Sequence, residues 1–317
     1  MKKVLSIIGT RPQYIKYSAI EHELKIRPRS DIEFAWLDTM QHYSESMSEV
    51  FYNEFNLSEP VMKLTAARSQ VPLFLEDYVK QINPDLVVVY GDTDTTLFGA
   101  LAATRNNISL AHVESGCRSG NWEMKEETNR VVADALADLH FPVDVYGDLH
   151  ADSLSRFDLD RVSGSYVLLT LHRPNNVDDA QRLNLTLNEL SKSSLPIKYV
   201  THHRVDSSFL YQRENFTYLE PQKYEDMLNL INNAEVIVTD SGGIQREAYM
   251  LGKPVITLRD ETEWKGTLWN DCNVLATPLD LVSEISRERN PKFSPNLFRT
   301  GAAQKIIREI SEWLNTE

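Results

Sequence analysis

The 317 residues contain two cysteines, Cys117 and Cys272, far apart in the chain. So few thiols exclude a disulfide framework and a thiolate-rich zinc site, and they fit a reducing cytoplasm. Long hydrophobic runs are missing too. Behind Lys2 and Lys3, the apolar stretch Val4–Ile8 is interrupted by Ser6 and falls far short of a signal-peptide core or a membrane span. The expectation is a cytoplasmic protein that begins at Met1 and has no membrane partner. Positive charge is in deficit: 33 basic residues against 46 acidic ones give a formal net charge of −13. That argues against nucleic acid as a partner, because phosphate neutralisation needs a basic surface. An anionic small substrate must then be gripped by a local cluster of arginines. Also absent are a histidine pair at the spacing of a helical zinc site and a Gly-x-Ser-x-Gly nucleophile turn.

The bulk composition, 42% apolar and 25% charged, is that of a soluble globular protein. The length exceeds what one core usually supports and suggests two domains of roughly 150 residues. Short runs rich in Val, Ile and Leu alternate with segments of helical period: Val4–Ile8 then Pro12–Lys25, Leu86–Tyr90 then Thr95–Arg105, Leu110–Val113 then Lys125–Leu136. Periodicity fades over 144–164. It resumes with the strands Tyr166–Leu171, Ile197–Thr201, Glu235–Thr239 and Pro254–Leu258, separated by helices. This rhythm predicts parallel sheets covered on both faces. The predicted fold class is α/β, with two doubly wound Rossmann-like domains, 1–164 and 165–317, facing across a cleft; the boundary is expected near Ser163–Ser165. The last segment, Phe298–Leu314, carries helical spacing in Ile306, Ile307, Ile310 and Leu314, and the sequence leaves open whether it packs back on the N-terminal domain.

Seven polar clusters directly follow predicted strands: Gly9-Thr-Arg-Pro, Gly91-Asp-Thr-Asp, Glu114-Ser-Gly-Cys-Arg, His172-Arg-Pro-Asn-Asn, His202-His-Arg, Asp240-Ser-Gly-Gly and Arg259-Asp-Glu-Thr-Glu. The carboxyl ends of strands line the ligand crevice of an open α/β sheet, so a substrate between the domains is the economical reading. Ser241-Gly242-Gly243 opens a helix, and glycines there let an anion reach the free N–H groups of the first turn, where the dipole favours negative charge. A diphosphate suits that site. Glu247, about a turn further on, could accept from ribose hydroxyls. A serine that caps the helix above a tight glycine turn explains the same residues equally well.

Arg11, Lys16, Arg118, Arg173, Arg204 and Arg259 fall in or near the clusters, and guanidinium forks suit phosphate oxygens; scattered surface arginines are the plain alternative for any one of them. Asp92, Glu114 and Glu126 lie in the N-terminal half. Carboxylates brought close together can supply both a base and an acid. Asp94 reads as a helix cap, and without complementary ligands around Asp92-Thr-Asp94 no metal is expected. His172 and His202 could contact phosphate or protonate a departing group, although a structural histidine is the commoner state; His203 receives no role.

On these residues the chain resembles the UDP-N-acetylglucosamine 2-epimerase family, enzymes of the two-Rossmann-domain GT-B architecture. The likeness covers almost the whole length: Gly9-Thr-Arg-Pro-Gln with Lys16, Gln41-His-Tyr, Tyr90-Gly-Asp-Thr-Asp, His112-Val-Glu-Ser-Gly with Arg118-Ser, Glu126-Glu-Thr-Asn-Arg, His172-Arg, Thr239-Asp-Ser-Gly-Gly-Ile-Gln through Glu247-Ala, and Arg259-Asp-Glu-Thr-Glu-Trp. The resemblance implies non-hydrolysing inversion at carbon 2 of UDP-N-acetylglucosamine or a diacetamido-uronate analogue, by elimination and re-addition of UDP. It assigns Asp92, Glu114 and Glu126 to the acid–base work and His172 to the departing phosphate. Arg11 and Lys16 would contact the charged part of the substrate, and Ser241, Gly242 and Glu247 would hold UDP. Gly243, Arg118, Arg173, His202 and Arg259 join the binding candidates by position. No cofactor is implied, since no net redox change occurs. A homodimer and a place in polysaccharide biosynthesis are implied. Gln41 and His42 would border a second UDP-sugar site, or simply belong to a loop capping a helix that starts near Ser44. The family usually has Glu where Asn175 stands, Pro where Lys125 stands and Pro where His203 stands, and Pro142–Gly147 is shorter than usual. A hydrolysing 2-epimerase, a GT-B glycosyltransferase and a non-catalytic UDP-sugar binder are the competing readings; a transferase has no need of the three N-terminal acids.

Overall fold

The computed structural model describes residues 1–41, 45–65, 69–159, 164–202 and 204–316. The chain divides into two compact units, Met1–Arg156 with Phe298–Glu317, and Phe157–Leu297. In the first unit the order is β1 (Lys2–Ile8), α1 (Arg11–Ile26), β2 (Ile32–Asp38), α2 (Glu45–Phe55), β3 (Met62–Lys63), α3 (Val71–Ile82) and β4 (Leu86–Tyr90). It continues with α4 (Asp94–Arg105), β5 (Ser109–Val113), α5 (Lys125–Leu136), β6 (Leu139–Phe141), α6 (Val143–Tyr146) and α7 (Leu149–Leu154). The second unit holds β7 (Val167–Thr170), α8 (Pro174–Val177), α9 (Ala180–Leu190), β8 (Ile197–Val200), β9 (Phe216–Leu219) and α10 (Tyr224–Asn233). Then come β10 (Val236–Thr239), α11 (Gly242–Met250), β11 (Val255–Thr257), β12 (Asn273–Leu275) and α12 (Leu281–Ser286), before α13 (Ala302–Leu314) closes the chain.

Among the described residues each unit has one parallel six-stranded sheet, ordered β3-β2-β1-β4-β5-β6 in the first and β12-β11-β10-β7-β8-β9 in the second. Both have the same doubly wound topology. The strand order reverses between β1 and β4 and between β7 and β10, where such sheets open a crevice at their carboxyl ends. The central strands are apolar on both faces because helices cover both. In β7, β8 and β10, for instance, Leu169, Tyr199 and Val238 enter one buried cluster while Leu168, Val200 and Ile237 enter the other. In the first sheet Ile7 lies level with Leu37 on one neighbour and Val89 on the other, all three buried.

The stretch over 144–164, without periodicity in the sequence, includes α6 and α7, each too short to show one. These helices and α1 receive α13, whose Ile306, Ile307, Ile310 and Leu314 are buried. The N-cap of α13 is Gly301, which has no side chain to offer, and the carboxylate of Asp152 instead accepts from Gly301 N and Ala303 N, the latter at 2.7 Å. The last helix therefore belongs with the N-terminal unit. The division falls at Arg156/Phe157, a few residues before the boundary expected from the sequence, and Ser163 lies outside the described residues.

Candidate active site

Between β1 and α1 only Gly9 and Thr10 turn the chain. A Cβ on Gly9 would sit 1.9 Å from Thr39 Oγ1, so the position cannot take a side chain. Gln13, buried in the first turn of α1, fastens this turn to the end of β4: its Oε1 accepts from Gly9 N at 2.9 Å, and its Nε2 donates to Tyr90 O at 2.9 Å and Thr93 Oγ1 at 3.0 Å. Gln41 does similar work, its Oε1 accepting from Thr95 N at 2.9 Å; His42 is outside the described residues. Arg11, the first residue of α1, is partly exposed and lies over the Phe51 ring, 6.0 Å from its centroid. The helix carrying Asp94 starts at that residue, with Thr93 rather than Asp94 in the N-cap position.

Lys16 sits further along α1 and is buried, its Nζ 2.7 Å from Glu114 Oε2. Its charged partner in the structure is a carboxylate of the protein itself. Glu114, the first residue past β5, has φ of 70°, a conformation that costs a non-glycine residue of order 1–3 kcal/mol and persists only where the surroundings impose it. Gly91, the first residue past β4, has φ of 68°, and a Cβ there would lie 2.8 Å from Lys16 Nζ. The turns after β4 and β5 thus close around one buried ion pair.

Asp92, on the same rim, is a quarter exposed and paired with Arg130 Nη2. Arg130 Nη1 reaches Glu127 Oε2 at 3.2 Å, and Glu127 in turn accepts from Ser119 N at 2.8 Å, Ser119 Oγ at 2.9 Å and Gly120 N at 3.1 Å. Burial pushes the Glu127 carboxyl up, but these donors outweigh it and hold the group below its usual range. Of the adjacent pair, Glu127 is structural, while Glu126 is exposed in the first turn of α5, where the helix dipole favours a carboxylate. Arg118 donates from Nη2 to Asp134 Oδ2 at 2.5 Å. Asp134 also meets His112 Nδ1 at 2.5 Å and accepts from Gly116 N at 3.0 Å. Burial raises the Asp134 carboxyl, yet His112, Gly116 and Arg118 bring it down to about 2. The other nitrogen of His112 reaches Gly91 O at 2.8 Å, so this buried ring braces the β4 turn from behind.

In the second unit the carboxylate of Asp240, which follows β10, is buried. It accepts from Arg173 N at 3.0 Å and Asn176 Nδ2 at 3.0 Å, and lies 2.9 Å from His172 Nδ1. Burial raises this group, and the donors of His172, Asn176 and Arg173 more than reverse that. The side chain of Arg173 turns to Asp240 O, Nε donating at 3.1 Å. The His202 ring stands 6.0 Å from that of His172. Arg204 pairs with Asp178 on the surface at 2.6 Å.

Ser241 caps α11 and accepts from Ile244 N at 3.4 Å. The two glycines behind it differ. A Cβ on Gly242 would lie 2.3 Å from Glu263 Oε1, whereas one on Gly243 would meet nothing closer than Ser241 Oγ at 3.8 Å. A side chain on the first glycine would have to displace the Glu263 carboxylate, whereas the fold leaves the second free to vary. Glu247 is buried in α11. Arg259 is buried too, with Glu263 Oε2 at 2.9 Å from Nη1. Among the described residues no group of three or more His, Cys, Asp or Glu could hold a metal ion, and no helix is long and apolar enough to cross a membrane.

The family model for UDP-N-acetylglucosamine 2-epimerase matches residues 24–145 and 143–311. The chain belongs to the UDP-N-acetylglucosamine 2-epimerase family. The family, the α/β fold of two doubly wound units and the isomerase class expected from the sequence are therefore those found. A Methanococcus maripaludis protein named UDP-N-acetylglucosamine 2-epimerase is 32% identical, covering 98% of each chain. The UDP-2,3-diacetamido-2,3-dideoxy-D-glucuronate 2-epimerase of Pseudomonas aeruginosa is 32% identical over 90% of this chain and 91% of its own. A crystal structure of the Methanocaldococcus jannaschii UDP-GlcNAc 2-epimerase, in complex with UDP-GlcNAc and UDP, is similar with a TM-score of 0.85 at 30% identity, covering 98% of this chain and 99% of that one.

Two of this family member's departures from the usual pattern, Asn175 and Lys125, are exposed, and the shortened Pro142–Gly147 segment forms the single turn of α6. His203 lies outside the described residues. Sequence reasoning passed over Gln13, Glu127, Arg130, Asp134 and Asp240, although all five stand within or beside the motifs; a polar residue that sequence alone would place in a covered strand end or helix face was the available signal.

Proposed function

We propose that this 2-epimerase inverts carbon 2 of a UDP-N-acetylhexosamine, UDP-N-acetylglucosamine or its diacetamido-uronate analogue, and does so without net hydrolysis. The C2–H bond breaks as a carboxylate takes the proton, the C1–O bond breaks with its electron pair leaving on UDP, and a C1=C2 double bond forms. UDP then adds back to carbon 1 while a carboxyl group delivers a proton to the opposite face of carbon 2. The sum is redox-neutral. No carbonyl acidifies the C2 proton, so its removal must be coupled to departure of a well-stabilised diphosphate.

The observation that carries this reading is the strand-end rim of the first unit: Asp92 held by Arg130, Glu114 held by Lys16 in a left-handed backbone, and Glu126 open at a helix N-terminus. These three serve as the acids and bases. His172, Arg173 and His202 meet the departing phosphates, and Ser241, Gly242, Gly243, Glu247 and Arg259 hold UDP at the start of α11, where free N–H groups and the dipole favour the anion. Arg11 and Arg118 contribute positive charge on the other rim, and Lys16 acts through Glu114. The enzyme works in the cytoplasm, in polysaccharide biosynthesis, as a homodimer. Exposed Leu73 and Phe74 on α3 offer apolar surface for that contact, and analytical ultracentrifugation tests it. The test of the activity is solvent exchange: in deuterated water each turnover must replace the C2 proton, and Glu126→Gln must abolish the replacement.

A further inference from the structure

Asp240 has no part in the chemistry above, yet its carboxylate is buried and surrounded by donors. His172 N lies 3.1 and 3.3 Å from its two oxygens, Arg173 N at 3.0 Å, Asn176 Nδ2 at 3.0 Å, and His172 Nδ1 at 2.9 Å. We propose that Asp240 is a positioning residue of the 2-epimerase, which orients the His172 imidazole by holding Nδ1 and so leaves Nε2 as the nitrogen offered to the departing phosphate. This rests on the role given to His172 above.

An imidazole has two possible neutral tautomers and can flip about its own axis; a carboxylate at one nitrogen selects the form protonated there and fixes the ring plane. The need is real here, since the His172 side chain is 41% exposed and has little packing to hold it. Asp240 is also the residue before Ser241, the N-cap of α11, and it sits where the second sheet reverses its strand order. One carboxylate thereby locks the turn after β7 to the helix start proposed for the diphosphate. The ring and the helix N–H groups become parts of one rigid assembly, which is what preorganised stabilisation of a leaving group requires. Asn176 completes the lock by donating from the same amide to Leu258 O at 3.0 Å, while Asn175 is exposed.

Isotope-labelled histidine in the full-length protein, with His172 assigned through His172→Gln, reports the state of Nδ1 by NMR near neutral pH. The wild type must show a proton on Nδ1, and Asp240→Asn must lose it or average it between the two nitrogens. In the epimerase assay Asp240→Asn should lower kcat about 10–100-fold with KM changed less than about threefold. Asn176→Ala removes a neighbouring donor and keeps the carboxylate, so the Nδ1 proton should survive it. A bare Nδ1 in the wild type, wild-type kcat in Asp240→Asn, or an Asn176→Ala variant as damaged as Asp240→Asn would overturn the proposal. Should Asp240→Asn fail to fold, the wild-type and Asn176→Ala spectra still decide. A wild type that epimerises no UDP-sugar would remove the reading of the reaction while leaving the Nδ1 result to stand or fall separately.

Discussion

Replacing Lys16 by methionine keeps most of the volume of the side chain and removes its charge. Lys16 and Glu114 are 4% and 8% exposed with 2.7 Å between their charged atoms, so neither is rescued by water when the other goes. Removing one partner of a pair buried this deeply costs about 3–5 kcal/mol, against at most about 1 kcal/mol for a solvent-exposed pair. For a unit of this size the loss corresponds to a melting temperature lowered by about 6–20 °C. Urea unfolding followed by circular dichroism measures it, and the double variant Lys16→Met/Glu114→Gln, which removes both charges, should recover part of the stability. A Lys16→Met loss below about 1 kcal/mol, or a double variant that is simply the sum of the two singles, would mean that the pair is solvated and does not organise the rim.

Three further outcomes follow from the geometry. Gly243→Ala should leave the melting temperature almost unchanged, since its Cβ meets nothing within 3.8 Å, yet weaken UDP binding in calorimetry; Gly242→Ala should lose both, because its Cβ would press to 2.3 Å on Glu263, which is itself paired with Arg259. Asp134 has its folded carboxyl lowered from 3.8 to about 2, so its contribution is fully present above the unfolded value and is lost as pH falls through the folded one. Wild-type stability should therefore drop by about 2 kcal/mol more than that of Asp134→Asn between about pH 5 and pH 2. Glu126→Gln should fold like the wild type, being exposed, and should neither epimerise nor exchange the C2 proton.

Much of the fold is legible in the sequence because the central strands are buried on both faces. The runs in β1, β4, β5, β7 and β10 announce themselves, and each falls within a residue or two of where the alternation puts it. β2, β3, β6, β9 and β12 do not. β3 and β9 are partly exposed along most of their length, β6 and β12 have three residues each, and β2 mixes Glu33 into its apolar positions, so none carries a run long enough to stand out. The site follows the same logic. Positions after strands identify Asp92, Glu114, His172 and Ser241, because chain order alone brings them to the rim. Sequence gives no direction for a side chain once it is there: that Lys16 turns inward to Glu114, that Glu127 is buried and Glu126 open, and that Asp240 grips His172 are consequences of packing between segments far apart in the chain. The two glycines of α11 look equivalent in sequence and are separated only by what lies opposite each, the Glu263 carboxylate in close contact in one case and Ser241 Oγ at an ordinary contact distance in the other.

The measurement to make is proton NMR of UDP-N-acetylglucosamine incubated with the purified protein in deuterated water, without added metal. A non-hydrolysing 2-epimerase must erase the C2 proton signal while the manno UDP-sugar appears and UDP stays attached. Accumulation of free UDP with free N-acetylmannosamine would contradict re-addition, and no exchange with either UDP-N-acetylglucosamine or a diacetamido-uronate UDP-sugar would contradict carbon 2 chemistry altogether.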